Sequence, residues 1–105
     1  MRKTGSFRRY LLKNLKRPAE TSAYLDAALK EGDVDFLLTA LRDVAEAQGG
    51  MTRLAQRTKL NRGHLYKALS KRGNPEIHSL EVILKCFGLR LTVVPEKPSP
   101  LKRAA

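Results

Sequence analysis

The chain has 105 residues, room for one domain and one core. Lys and Arg number 21 against 10 acids, a net +11, which points first to a polyanion partner. One cysteine excludes an internal disulfide and a cysteine metal cluster.

Apolar runs such as Leu89–Val94 are far too short to cross a bilayer. The N-terminus has no apolar stretch of the secretory kind, so a cytoplasmic protein is expected, with no membrane partner. Residues 1–17 carry seven basic side chains and no acid; residues 18–48 carry two basic and seven acidic; residues 49–90 carry nine basic and two acidic. Two basic blocks separated by an acidic middle read as surfaces for different partners, the alternative being chance clustering.

In chain order, Met1–Gly5 reads as frayed. Ser6 caps a helix to about Leu15, with Phe7, Tyr10, Leu11 and Leu15 on its apolar face and Arg8, Arg9, Lys13 and Lys16 away from it. Pro18 opens a second helix to about Glu31, with Tyr24, Leu25, Ala28 and Leu29 inward. Gly32 stops it, and Asp33 caps a third to about Gln48, burying Phe36, Leu37, Ala40, Leu41, Val44 and Ala45. Gly49-Gly50 breaks the chain before a short helix, Met51–Thr58. A tight turn at Lys59-Leu60 leads to Asn61, which caps a helix over Arg62–Ser70. Ser79 caps a last helix, Leu80–Phe87, closed by Gly88. Leu89–Val94 alternates like a strand, and the proline-bearing tail 95–105 reads as disordered.

The expectation is an all-α fold of about five helices, with a central lambda-repressor-like helix-turn-helix and one C-terminal β-strand. Its parts are a basic N-terminal helix or extension at 1–17, the domain at 18–94 with the helix-turn-helix at 51–70, and the tail at 95–105. A lone strand needs a second edge. Val82 and Cys86 form an extra apolar strip on the last helix. With Leu89, Leu91 and Val93 they point to a homodimer contact, unless a folded-back N-terminal helix covers them.

Residues 51–70 carry the function. With Leu65 inward, Gly63, Lys67 and Ser70 point outward, flanked by His64, Tyr66 and Lys71. Arg62 in the first turn suits guanine O6 and N7, and Lys67 reaches a base or a phosphate one turn on. Met51 and Thr52 offer helix N-terminal N–H groups to a phosphate. Arg53, Arg57, Lys59, Lys71 and Arg72 neutralise backbone charge. The alternative is a plain helical hairpin with a solvated basic face. The partner implied is double-stranded DNA with a palindromic operator, bound by a dimer.

Catalysis is not expected. His64 and His78 belong to no metal motif, Cys86 has no partner for nucleophilic chemistry, and no phosphate-cradling loop is present. Neither metal nor cofactor is implied.

The runs YLDAALKEGD from Tyr24 to Asp33 and LTALRDVAEAQGG from Leu38 to Gly50 resemble the HigA-like "probable addiction module antidote" family. LYKALS from Leu65 to Ser70, Gly73-Asn74-Pro75 and Leu89-Arg90-Leu91 continue the likeness, which spans about residues 10–94. It implies an Xre-type antitoxin of a type II toxin–antitoxin module. Such a protein represses its own operon and neutralises a small, basic RelE/HigB-like toxin that cleaves mRNA. Asn61, Arg62, Gly63, His64 and Lys67 then become recognition-helix contacts. Lys59 stands where the family has glycine, Gly63 where it has an acid, and Asn14–Pro18 is basic where it is acidic. Charge complementarity places the toxin on the acidic middle, at Asp26, Glu31, Asp33 and Asp35 with Asp43 and Glu46, the alternative being a solvated face. A stand-alone regulator of a phage or mobile element, without a toxin, is the second reading.

Overall fold

A computed structural model describes residues 2–97, with side chains from Gly5 onward. Six helices follow one another: α1 (Arg2–Asn14), α2 (Pro18–Lys30), α3 (Val34–Ala47), α4 (Gly50–Thr58), α5 (Arg62–Ala68) and α6 (Ile77–Cys86). The six correspond to the six segments read as helical in chain order, one more than the fold-level expectation of about five, and the basic N-terminal segment is one of them. Residues 98–105, most of the expected disordered tail, lie outside the described residues, as does Met1.

Local chemistry sets most helix ends. Pro18 opens α2, its fixed φ suiting the first turn. The Asp33 carboxylate accepts the N–H of Asp35 at 2.9 Å and starts α3. The Asn61 side chain accepts the N–H of His64 at 2.9 Å and starts α5. Gly32, Gly49 and Gly88 follow α2, α3 and α6 with φ of 73°, 115° and 83°, where a Cβ is unfavourable. The expected Ser79 cap is not used: α6 begins at Ile77 after Glu76, which makes no side-chain cap bond.

The core gathers Leu15, Leu25, Leu38, Leu41, Val44, Leu54, Leu65, Leu69, Ile83 and Phe87. Helix α3 is its spine, packed against α1, α2 and α4, while α4 also meets α5 and α6. The end of α1 is clasped at one carbonyl. Leu15 O accepts from the buried Thr21 hydroxyl at 2.9 Å and from the Gln48 side chain at 3.3 Å.

Several inward assignments are corrected. On α1, Phe7 and Tyr10 are exposed, whereas Leu11 and, just past the helix, Leu15 face the body as expected, joined by Leu12 and the partly buried Arg8. Arg8, expected to lie away from the apolar face, binds Asp43 at 3.0 Å and also Glu46. A buried carboxylate left without partners is costly, and Arg8 of α1 supplies one here. Leu29 and Phe36 are likewise exposed, while Leu38, missing from the expected core, is fully buried.

No strand forms at Leu89–Val94. Leu89 folds back onto α6, its N–H donating to Leu84 O at 2.8 Å, and Val93 is 96 % exposed. Alternation marks a segment able to pair, but among the described residues no second edge faces it.

Candidate nucleic-acid interface

Helices α4 and α5 form a hairpin whose turn is Lys59-Leu60-Asn61. The turn closes through the Lys59 N–H, which donates to Ala55 O at 2.8 Å. The Thr58 hydroxyl donates to Leu54 O at 2.7 Å and accepts from the Leu60 N–H at 3.3 Å. Lys59 sits at φ 63° and ψ 21°, the left-handed region. A side chain there costs about 1–2 kcal/mol, so the chain keeps a cation at a strained point. Leu60, half-buried, packs against the core.

Leu65 and Leu69 anchor α5 from below, both buried. Its C-terminal end is gripped by α3. Arg42 donates to the Leu69 carbonyl, and the Asp35 carboxylate accepts the Arg72 N–H at 3.0 Å. Sequence reasoning missed both grips. Arg42 was given no role, and Asp35 was counted with a different surface. These contacts orient α5 against the spine of the fold.

The outer face of α5 is then fixed. Arg62, Gly63, His64, Tyr66, Lys67 and Ser70 are all exposed. The Arg62 guanidinium lies over the Tyr66 ring, 5.2 Å from its centre, a cation–π geometry that holds the charge in place. Asn61 is exposed and its side-chain oxygen is used by the cap. Lys71 and Arg72 follow on the exposed loop, with Arg72 in the left-handed region at φ 66°. An open cleft of about 620 Å³ runs beside α5, between His64, Lys67 and Ser70 on one side and Arg72, Glu76 and Ser79 on the other.

The first helix of the pair contributes less evenly. Thr52 and Arg53 are exposed, and Met51 is half-buried against the core. Arg57 is exposed, yet its guanidinium donates to Cys86 O at 3.0 Å, tying α4 to the end of α6. That contact engages one of the charges expected to meet phosphate.

The other expected sites are more scattered. Asp26 pairs with Lys30 at 3.2 Å, Asp33 caps α3, Asp35 holds Arg72, and Glu31 is exposed at the end of α2. Asp43 and Glu46 are taken by Arg8, whose pKa is raised first by the bond to Glu46 and then by that to Asp43. The wider acidic patch is therefore two groups: Asp43 and the exposed Glu46, both paired with Arg8 of α1, and a second group at the α2–α3 corner. Val82 and Cys86 are half-buried, Leu89 packs on the core, and Leu91 and Val93 are exposed. No group of three or more potential metal ligands occurs among the described residues. None of the described helices is long and apolar enough to cross a membrane.

The architecture defines an all-helical protein that presents a short, basic, rigidly held helix. The chain belongs to the family of probable addiction module antidote proteins, whose model matches residues 4–95. It is also similar to an uncharacterized protein of Haemophilus influenzae, 34 % identical over 80 residues, covering 76 % of this chain and 81 % of that protein. No solved structure matches it.

Proposed function

We propose that the chain is the antitoxin of a type II toxin–antitoxin module, HigA-like and Xre-type, which represses its own operon and neutralises a RelE/HigB-like mRNA-cleaving toxin. The observation that carries the DNA half is the exposed basic face of α5, held by Arg42 and Asp35 at one end and by the Asn61 cap at the other. A helix fixed at both ends can enter the major groove without losing freedom on binding. In this reading α4 and α5 are a helix-turn-helix. Arg62 and Lys67 read bases, and Arg53, Lys59, Lys71 and Arg72 contact phosphates.

Two copies bind a palindromic operator, with half-sites about one DNA turn apart. The contact between copies is made by the exposed Leu91 and Val93 together with the half-buried Val82, Cys86 and Leu89. The protein works by binding rather than by catalysis, in the cytoplasm. Family membership supports the toxin half, since an antidote needs something to neutralise.

The test is fluorescence anisotropy of the full chain on DNA from upstream of its own operon and on a scrambled duplex, across a salt series. Tighter binding to the upstream DNA, with affinity falling steeply as salt rises, is expected. Equal affinity for both duplexes would remove the repressor reading.

A further inference from the structure

The α2–α3 corner carries a second surface, unlike the basic one. Leu29, Val34 and Phe36 are 57 %, 62 % and 52 % exposed, three large apolar side chains within eight residues of chain. Beside them a groove of about 260 Å³ lies between α2 and α3, lined by Tyr24, Ala27, Ala28, Phe36 and Ala40. That volume is below the ~300–1,000 Å³ of small-molecule pockets, so it suits protruding side chains better than a free ligand. Glu31 lines the groove itself, and Asp26 and Asp33 come from the same corner; among the described residues Asp26 has a cation, Lys30, within ion-pair distance, and Glu31 and Asp33 have none.

A chain of net +11 that sets Glu31, Asp26 and Asp33 beside exposed apolar side chains has built a place for a cationic partner. Phosphate would be repelled there, which separates this surface from the α5 face. We propose that the α2–α3 groove is where the toxin docks, through a segment with a large apolar side chain flanked by Lys or Arg. The apolar side chain enters beside Phe36 and Ala40, and the cations lie against Glu31 and Asp26. This deepens the antitoxin reading and rests on it.

Asp33 and Asp35 are poor probes, since one caps α3 and the other holds Arg72. Phe36, Leu29 and Glu31 make no such side-chain bonds among the described residues, so Phe36→Ser, Leu29→Ser and Glu31→Lys are the variants of choice. The full chain is titrated calorimetrically with the product of the short basic reading frame adjacent to its own gene. Operator binding and thermal unfolding are followed in parallel, and mass in solution by light scattering. Phe36→Ser and Leu29→Ser each weaken the complex at least tenfold. Glu31→Lys weakens it and flattens its salt dependence, and all three keep operator affinity within about twofold. Should Phe36→Ser unfold, Leu29→Ser and Glu31→Lys still decide the matter.

Unchanged affinity in the folded variants would overturn the docking site while leaving the antitoxin reading intact. No binding by the unsubstituted chain would overturn that reading and the docking site with it. Loss of self-association in Phe36→Ser, with toxin binding kept, would assign the groove to a second copy instead.

Discussion

The Arg8 guanidinium lies 3.0 Å from the Asp43 carboxylate, across 35 residues of chain. The second oxygen of Asp43 accepts from the Tyr24 hydroxyl at 2.7 Å. One buried carboxylate on α3 thus joins α1 and α2 to the spine. Arg8→Ala leaves Asp43 with a single partner. Breaking a buried pair costs about 3–5 kcal/mol. Arg8 is 42 % exposed, so water replaces part of the loss and about 1–2 kcal/mol is expected. For a domain this small, that lowers Tm by roughly 4–16 °C. A thermal melt beside Arg9→Ala, which should change little, checks it.

Tyr24 gives the same network a pH signature. Burial first, then its hydrogen bond to Asp43 and the nearby negative charge, push its pKa up to about 12 from 10.0; Arg8 opposes this. Because the folded pKa is the higher one, the contribution is fully present below pH 10 and is lost as pH rises from 10 to 12. Chemical unfolding across that window should show a loss of stability that Tyr24→Phe reduces. Tyr24→Phe should itself cost about 1 kcal/mol at neutral pH, the value of one hydrogen bond. An identical alkaline slope in both proteins would assign the slope to other groups.

Gly73 tests how tightly the loop after α5 is set. A Cβ there would stand 2.6 Å from the Ala68 carbonyl carbon and 2.7 Å from the Lys67 oxygen, with the Ala68 oxygen nearer still. These are backbone atoms and cannot move aside as a flexible side chain would. Gly73→Ala should therefore destabilise by about 1–3 kcal/mol, read as a lower urea midpoint at unchanged slope. A neutral substitution would show that the loop shifts freely.

The features legible in the sequence are those whose causes are local. Asp33 and Asn61 cap because a short side-chain oxygen accepts an N–H two or three residues further on. Gly32, Gly49 and Gly88 end helices because they alone take positive φ cheaply. The outward set on α5 followed from burying Leu65. What stayed hidden depends on distant partners. Arg8 looked like a solvated cation because Asp43, its reason to turn inward, lies on another helix. Arg42 and Asp35 grip the end of α5 through backbone groups, which leave no mark in composition. Phe36 shares its face of α3 with the buried Ala40 and Ala47, as its spacing suggests, yet it lies in the first turn of the helix and stays exposed. The alternation at Leu89–Val94 was real, but a strand is a property of two segments.

Lys59 trades stability against charge. Lys59→Gly relieves about 1–2 kcal/mol of left-handed strain and returns about 0.5–1 kcal/mol as chain entropy, a net gain below about 1.5 kcal/mol. The variant should melt a few degrees higher. On operator DNA it should bind more weakly, with a salt slope shallower by about 0.9 if Lys59 neutralises one phosphate. Higher stability with an unchanged slope would show that the lysine does not meet DNA.

Under the proposed DNA reading, variants at Arg62 and Tyr66 distinguish base reading from phosphate contact. The guanidinium is stacked 5.2 Å from the ring centre and stays exposed, so its donors are presented in a fixed plane. Removing it by Arg62→Ala should cost about 1–3 kcal/mol on the operator and relax preference at one base step. Arg62→Lys keeps the charge but loses the paired donors. It should therefore hold the salt slope and the affinity for scrambled DNA while losing most of the preference. Tyr66→Leu frees the guanidinium without deleting it, and a loss of about 0.5–1 kcal/mol, confined to the same base step, is expected. If Arg62→Ala instead weakens operator and scrambled duplex by equal factors, Arg62 is a phosphate clamp. Sequence preference would then have to come from Lys67 and the shape of the DNA.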